Sequence, residues 1–497
     1  MNTGRKILIA VHFALISALT AAFLPMPANA VQQEHTQSRA YLEEQLDALM
    51  RDGAIPGLAV YVSSPNGQWT IFKGVQDLDN SVPVGPETIF EIGSNSKAFT
   101  GALAQLYIAR GVLDPNRSVQ SYLPWFTPSY NGVEPRVRDL MYHTSGLAFG
   151  TIEHVRSGNS DSAEKIVRSL VDDSLVFEPG TAFSYATLNY TVLALIIEEV
   201  TQKSFATLIK SEILEPLDLH KTWIPDGTAA PQTKSDGHKL RYGQAARVEA
   251  PLHIGHAPAG YIHSNLSDMR LWAEAILTAA KKPASELDTA FAQSLKPNMS
   301  VAPSPTYGSF YGTGWFVFNT WGTEYYHAGA NPTFSSCIDI KPDNDTVIVV
   351  LANLNSNLVA ESCRSILFYL ETGNFGHSSE FFKTIDRYAM GLSALALVVV
   401  FVSLALCLYR CFCIFKEKRI STRIGVLKSG FSLALWVGLA TGLALVLPSM
   451  LFYMLPLSVL FEWGPLSLAP TIILLWCAVA LAALFRFLGT WQSTTLR

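Results

Sequence analysis

Basic residues are scarce in the middle of this chain, and that shortage narrows its partners. Of 36 Lys and Arg and 40 Asp and Glu in 497 residues, two bases fall in the first thirty positions. Eight bases and two acids fall from Ala389 onward. The stretch between holds 26 bases against 38 acids, a balance of −12. An acidic body without a basic stripe argues against nucleic acid as a partner. Cysteine is scarce as well: of six, only Cys337 and Cys363 precede Ala389. Neither belongs to a CxxC pair or to a Cys/His cluster with metal-ligand spacing. His253 and His256 have H-x-x-H spacing, but Pro258 and Gly260 put them in a loop with no third ligand in view. No metal and no cofactor are expected.

Apolar residues are abundant, at 49% of the chain with a mean hydropathy of +0.24, which suggests that part of it sits in lipid. The length allows a large core and something besides. Residues 1–30 resemble a secretory signal peptide: Arg5 and Lys6, then the apolar run Ile7 to Phe23, then Ala28-Asn29-Ala30 as a small-x-small cleavage site. Near the other end are three apolar segments, about Ala389 to Leu408, Phe431 to Leu455 and Leu468 to Phe485. Each is long enough to cross roughly 30 Å of hydrocarbon. The first connection carries Arg410, Lys416, Lys418, Arg419, Arg423 and Lys428 against Glu417, and the second carries no Lys or Arg. The positive-inside rule then puts the first connection in the cytoplasm and the preceding domain outside it. The expected organisation is a signal peptide at 1–30, a globular domain at 31–372, a linker at 373–388 and a three-helix membrane domain at 389–497. The implied location is a bacterial inner membrane with the domain periplasmic. Export permits a disulfide between Cys337 and Cys363, and two buried free thiols remain the alternative.

Within the globular domain, Ser38 to Arg51 has helical spacing, with Tyr41, Leu42, Leu46 and Leu49 recurring. Leu58 to Ser63 and Gln68 to Lys73 alternate as strands around Pro65-Asn66-Gly67, where Asn-Gly favours a turn with positive φ. A largely helical middle runs from about Ser94 to Leu277. Strand patterns return at Gly314 to Asn319, Thr323 to His327, Phe334 to Ile340 and Thr346 to Leu351, and a helix over Asn357 to Leu370 closes the domain. Early and late strands with helices between predict an α/β domain: one antiparallel sheet from both ends of the chain, flanked by helices, with a helical lobe inserted.

Chemistry centres on Ser94-Asn95-Ser96-Lys97. Ser and Lys three apart share a helix face, and a helix N-terminus at Ser94 favours negative charge on its oxygen. A neighbouring amine can accept or relay the hydroxyl proton. Ser162 and Lys165 repeat the spacing, and that copy reads as a solvated helix face. The first copy is followed in order by His143-Thr144-Ser145-Gly146-Leu147, Tyr185-Ala186-Thr187, Tyr311-Gly312-Thr313-Gly314-Trp315 and His327-Ala328-Gly329.

As an ordered set these motifs resemble the serine β-lactamase and penicillin-binding superfamily, in its class C or D,D-carboxypeptidase-like branch, over about residues 40 to 372. The resemblance implies that Ser94 is acylated, that Lys97 tunes it and that Tyr185 shares proton transfer. It implies that His327 and Gly329 match the substrate-binding K-T-G/H-x-G strand, and that the Ser94 and Ala330 N–H groups form the oxyanion hole. Thr187 departs from the asparagine usual at that position, which puts ordinary β-lactamase activity in doubt. Several stretches, including Ala259 to Ser264, Asn331 to Cys337 and Leu351 to Leu358, are similar to membrane-bound peptidases that activate prodrugs of nonribosomal peptide pathways, such as those maturing colibactin and xenocoumacin. That resemblance implies a lipidated peptide substrate losing an N-acyl-D-asparaginyl cap. Thr187, His256 and Asn331 match the positions that hold the D-asparagine side chain. Two rivals stand beside this: a D,D-carboxypeptidase or β-lactamase, and a non-hydrolytic penicillin-binding receptor acylated once. Membrane lipid is an expected partner, and the sequence leaves homo-oligomerisation open.

Overall fold

Strands from opposite ends of the first 372 residues form one sheet in this computed structural model. It describes residues 38–157, 161–249, 252–376, 380–416, 427, 430–439, 441–442 and 457–488. The expected signal peptide and most of the basic connection lie outside the described residues. The sheet is antiparallel with strand order β3-β2-β1-β12-β11-β10-β9-β8. Its members are β1 (Gly57–Ser64), β2 (Gly67–Asp77), β3 (Val82–Pro83), β8 (Phe310–Tyr311), β9 (Phe316–Phe318), β10 (Glu324–Ala330), β11 (Ser335–Lys341) and β12 (Thr346–Ala352). Two further pairs stand apart, β4 (Phe90–Glu91) with β7 (His263–Ser264), and β5 (Gly237–Arg241) with β6 (Gln244–Val248).

Register joins the two ends of the chain at the centre: Leu58 faces Ala352, and Ser63 faces Val347. Every residue of β12 is buried, so both sheet faces are covered there, as its unbroken apolar run Val347 to Ala352 requires. Helix α1 (Arg39–Gly53) is capped by the Ser38 side chain and buries Leu42, Leu46 and Leu49. Helices α4 (Leu266–Lys281) and α5 (Asn357–Thr372) pack on the central strands. A disulfide between Cys337 on β11 and Cys363 on α5 ties helix to sheet, which decides the alternative the sequence left open. Helices α2 (Ser96–Ala109) and α3 (Leu188–Thr201) pack together in the inserted lobe.

Three expectations change. Ser64 pairs with Gly67, so Pro65 and Asn66 form the turn and positive φ falls only on the glycine, at 139°. Proline at the first central position selects an ordinary rather than a mirror-image turn. The helical middle is interrupted by the β5–β6 hairpin, whose turn residues Tyr242 and Gly243 have φ of 51° and 85°. The second half of the expected linker is helical. Helix α6 runs from Phe381 to Lys416, 36 residues, because Glu380 accepts the Phe382 N–H at 3.1 Å and starts it eight residues before Ala389.

Helix α6 and helix α8 (Leu468–Leu488, 21 residues) are long and apolar enough to cross a membrane. They pack along one another, with Ser393 Oγ 2.7 Å from Thr471 Oγ1. Of the expected middle segment, 431–439 is helical, and most of the rest lies outside the described residues. A short helix α7 (Leu457–Trp463) precedes α8.

Candidate active site

A glycine turn delivers Ser94 into a cavity. Gly93 has φ +55°, and a Cβ there would lie 2.6 Å from the Ala330 nitrogen. A Cβ on Gly329 would lie 2.1 Å from the Ile92 carbonyl. Glycine at both positions therefore lets β10 press against the Ser94 turn, backbone to backbone. The turn is clamped from behind. Asn95 Nδ2 donates to Ser336 Oγ at 2.8 Å, Ser336 Oγ donates to the Ile92 carbonyl at 2.7 Å, and the Ile262 N–H donates to Ser96 Oγ at 3.1 Å. The Ser94 and Ala330 nitrogens belong to this turn and the strand end touching it, and both residues line the cavity.

Lys97 is fully buried, with Nζ 3.0 Å from Ser94 Oγ and donating to the Ala259 carbonyl at 2.6 Å. Burial pulls its ammonium well below the usual lysine range. A neutral amine that donates to Ala259 keeps a lone pair for the Ser94 proton. Burial pushes the Tyr185 phenol up, against a smaller downward pull from the neighbouring Ser94, so the phenol keeps its proton. The Ser94 hydroxyl therefore lies beside an amine whose hold on a proton burial weakens and a phenol whose hold on a proton burial strengthens.

The Tyr185 loop is shaped by His143, which the sequence offered only as one of the ordered motifs. Its Nδ1 accepts from the Ala186 N–H at 3.2 Å and lies 3.0 Å from Asn189 Nδ2, and its ring centre is 4.3 Å from that of Tyr185. Burial holds His143 well below the ordinary imidazole range, so it packs as a neutral ring. His327, on β10, lies with Nε2 3.1 Å from the Tyr311 hydroxyl and Nδ1 2.7 Å from the Ala328 carbonyl. Burial, followed by the nearby Lys97, pulls its pKa to about 3. It stands at the cavity wall as a neutral ring.

These features match the β-lactamase family model over residues 42–365. The chain belongs to the β-lactamase family. Protein flp of Staphylococcus aureus strain MW2 is 30% identical over 329 residues, 64% of this chain and 64% of flp, so the likeness spans less than two thirds of that relative. Penicillin-binding protein 4 of Amycolatopsis lactamdurans is 25% identical over 324 residues, 63% of this chain and 85% of that protein. The octameric penicillin-binding protein homologue from Pyrococcus abyssi superposes with a TM-score of 0.60 at 19% identity, covering 71% of this chain and 81% of its own, a likeness of fold.

The β-lactamase-family domain encloses, with the C-terminal helices, a cavity of about 670 Å³ around Ser94. Thr187, His256 and Asn331 line it. His256 is buried with Nδ1 2.6 Å from Thr191 Oγ1, and its Nε2 has no hydrogen-bond partner among the described residues. Asn331 Nδ2 donates to Glu91 Oε2 at 2.8 Å and to the Gly260 carbonyl at 2.7 Å. Two acceptor-only partners fix the amide's orientation and leave Oδ1 as the group it can offer. Glu91 is itself buried. The cost of that burial is outweighed by His263, whose Nε2 is 3.5 Å away, and the carboxyl is held below its usual range. The sequence carried no signal for this role of Glu91 beyond its place just before the Ser94 turn. Phe381 and Phe382 of α6, Val459, Leu460 and Trp463 of α7 and Leu468 of α8 add apolar lining to that of Phe149, Ile152, Phe183 and Phe316 from the domain.

The other sequence candidates separate from the site. Ser162 caps the helix Ala163–Arg168 by accepting the Lys165 N–H, and Lys165 pairs with Asp161. His253 faces Glu462 at 3.7 Å, and among the described residues no group of three or more His, Cys, Asp or Glu is placed to hold a metal. The Gly329 contact yields an expected result. Gly329→Ala forces β10 away from Ile92 and lowers the rate of acylation at least about a hundredfold, the scale of a roughly 1 Å misplacement. Single-turnover labelling with a fluorophosphonate measures it, and labelling at the parent's rate would show that the close approach is unnecessary.

Proposed function

We propose that this protein is a membrane-anchored, extracytoplasmic serine peptidase that removes an N-acyl-D-asparaginyl cap from a natural-product precursor. Ser94 attacks the amide carbonyl beside the cap while Lys97 takes its proton. The Ser94 and Ala330 N–H groups face the developing oxyanion, and Tyr185 protonates the departing amine. Lys97 passes the proton it took on to the Tyr185 phenolate, and the amine, neutral again, activates the water that releases the acylated cap from the acyl-enzyme as the free acid, the last proton returning to Ser94. Helices α6 and α8 serve as spans that hold the domain on the periplasmic side of a bacterial inner membrane, an orientation supported by the basic connection after the first span.

The observation that carries this reading is one cavity beside Ser94 lined both by the polar Thr187, His256 and Asn331 and by many apolar side chains. A carboxamide side chain offers two N–H donors and one carbonyl. Asn331 Oδ1 and the Thr187 hydroxyl suit the donors. His256, whose Nδ1 is engaged by Thr191, has Nε2 for the carbonyl. The apolar lining suits an acyl chain rising from the bilayer, each buried CH₂ contributing about 0.8 kcal/mol. The similarity to a penicillin-binding protein favours a second reading, a D,D-carboxypeptidase acting on cell-wall peptides.

One panel separates the two. Products from N-acyl-D-Asn, N-acyl-L-Asn and N-acyl-D-Leu amides and from a peptide ending in D-Ala-D-Ala are identified by mass spectrometry. The D-Asn amide is cleaved at the cap, while the L-Asn and D-Leu amides and the D-Ala-D-Ala peptide are left nearly intact. Equal cleavage of D-Asn and D-Leu amides removes the basis of the cap reading, and release of D-alanine puts the carboxypeptidase first.

A further inference from the structure

The apolar residues that α6, α7 and α8 add to the cavity lie outside the β-lactamase-family match, so something must hold them in place. Helix α7 supplies Val459, Leu460 and Trp463, and it is only seven residues long. A helix that short has no stability of its own in water. It packs on the Phe149–Ser157 segment through its apolar face, and its polar attachment comes from the β5–β6 hairpin. Lys239 Nζ donates to the Phe461 carbonyl at 2.9 Å and to the Glu462 carbonyl at 2.8 Å. These are among the terminal carbonyls that a helix leaves unpaired, at the end where a cation is favoured. Just beyond α7, the Leu466 N–H donates to the Leu240 carbonyl at 2.8 Å.

The hairpin tip makes a second attachment. A two-residue turn leaves its central N–H groups out of the strand ladder. The Tyr242 N–H donates to Asp386 Oδ1 at 3.0 Å, and the Gly243 N–H donates to Asp386 Oδ2. Ser467, at the start of α8, donates its hydroxyl to the same carboxylate. Asp386 is completely buried on α6. A buried carboxylate is costly unless fully hydrogen-bonded, and here three donors from two segments converge on it. One side chain thus joins α6, α8 and the hairpin.

We propose that Asp386 and Lys239 are positioning residues that clasp α7 against the cavity, so that the membrane-proximal helices form the subsite reading the substrate's acyl chain. This rests on the acyl-cap reading above. Neither residue lines the cavity or touches the Ser94 centre.

The test uses the full-length protein in detergent with N-acetyl and N-dodecanoyl versions of whichever capped amide the parent cleaves. Asp386→Ala raises KM for the dodecanoyl substrate at least about tenfold, the equivalent of lost contact with roughly two methylenes. Its kcat, and both constants for the acetyl substrate, stay within about twofold. Lys239→Met shifts the same constant in the same direction. Fluorophosphonate labelling of Ser94 reports an intact domain. If Asp386→Ala no longer labels, Lys239→Met decides alone. Equal losses on both chain lengths, no loss on either, or failure of both variants to label overturns the clasp. Failure of the cap reading looks different: the parent fails to prefer D-Asn, whatever its chain-length dependence.

Discussion

Ser94→Ala abolishes both turnover and fluorophosphonate labelling. The hydroxyl sits within 3.0 Å of Lys97 Nζ, in a cavity where no second serine shares a lysine partner, so nothing replaces it. Lys97→Met and Tyr185→Phe each lower kcat/KM at least about a hundredfold, the low end for a positioned proton-transfer group. The two differ in pH dependence. Burial pulls the Lys97 ammonium well below the ordinary lysine range, and only the neutral amine can take the Ser94 proton. Activity in the parent is therefore present above the depressed lysine pKa and lost as pH falls through it. That acid limb disappears from the residual activity of Lys97→Met and persists in Tyr185→Phe. Steady-state profiles together with labelling check the assignment. Retained labelling in Ser94→Ala, with the label on Ser162, would move the site elsewhere.

The second large effect is on choice of cap. A pocket built to bond a polar side chain rejects an apolar analogue by up to roughly 10⁴-fold, because its own buried groups are left unpaired. The parent should show a D-Asn over D-Leu preference in kcat/KM of at least about a hundredfold on that basis. Thr187→Val keeps size and removes the hydroxyl, and Thr187 makes no side-chain cap to α3, so the change is confined to the cavity. It lowers D-Asn cleavage and leaves D-Leu cleavage near the parent's. Asn331→Ala has a larger effect on the preference and a cost of its own, since Glu91 then loses the amide donor at 2.8 Å and sits buried without it. Equal losses on both caps in Thr187→Val would mark the hydroxyl as structural.

Much of this was present in local sequence. The short apolar runs at Leu58 to Val62 and Val347 to Leu351, each flanked by turn residues, were legible as strands. Ser94 and Lys97 stood out by their spacing, whereas the structure places Ser94 in a short turn ahead of α2 and shows that Gly93 there has positive φ. What local pattern does not carry is the pairing of distant segments. Asn331 meets Glu91 across 240 positions, and Lys239 meets Glu462 across 223. The β5–β6 hairpin was missed because its strands are short and its turn signal, Tyr242-Gly243, is weak without Asn or Asp. The extra turns at the start of α6 were missed because polar residues such as Glu380 and Asp386 look like linker until their partners are known. The direction of the Lys97 shift was equally out of reach, because only enclosure by the packed chain pulls its ammonium below the ordinary lysine range. Sequence thus located most strands of the main sheet and the candidate residues for chemistry. Tertiary packing alone decided that the cavity beside Ser94 is lined by both the β-lactamase-family domain and the C-terminal helices, because burial and long-range hydrogen bonding are properties of the assembled chain.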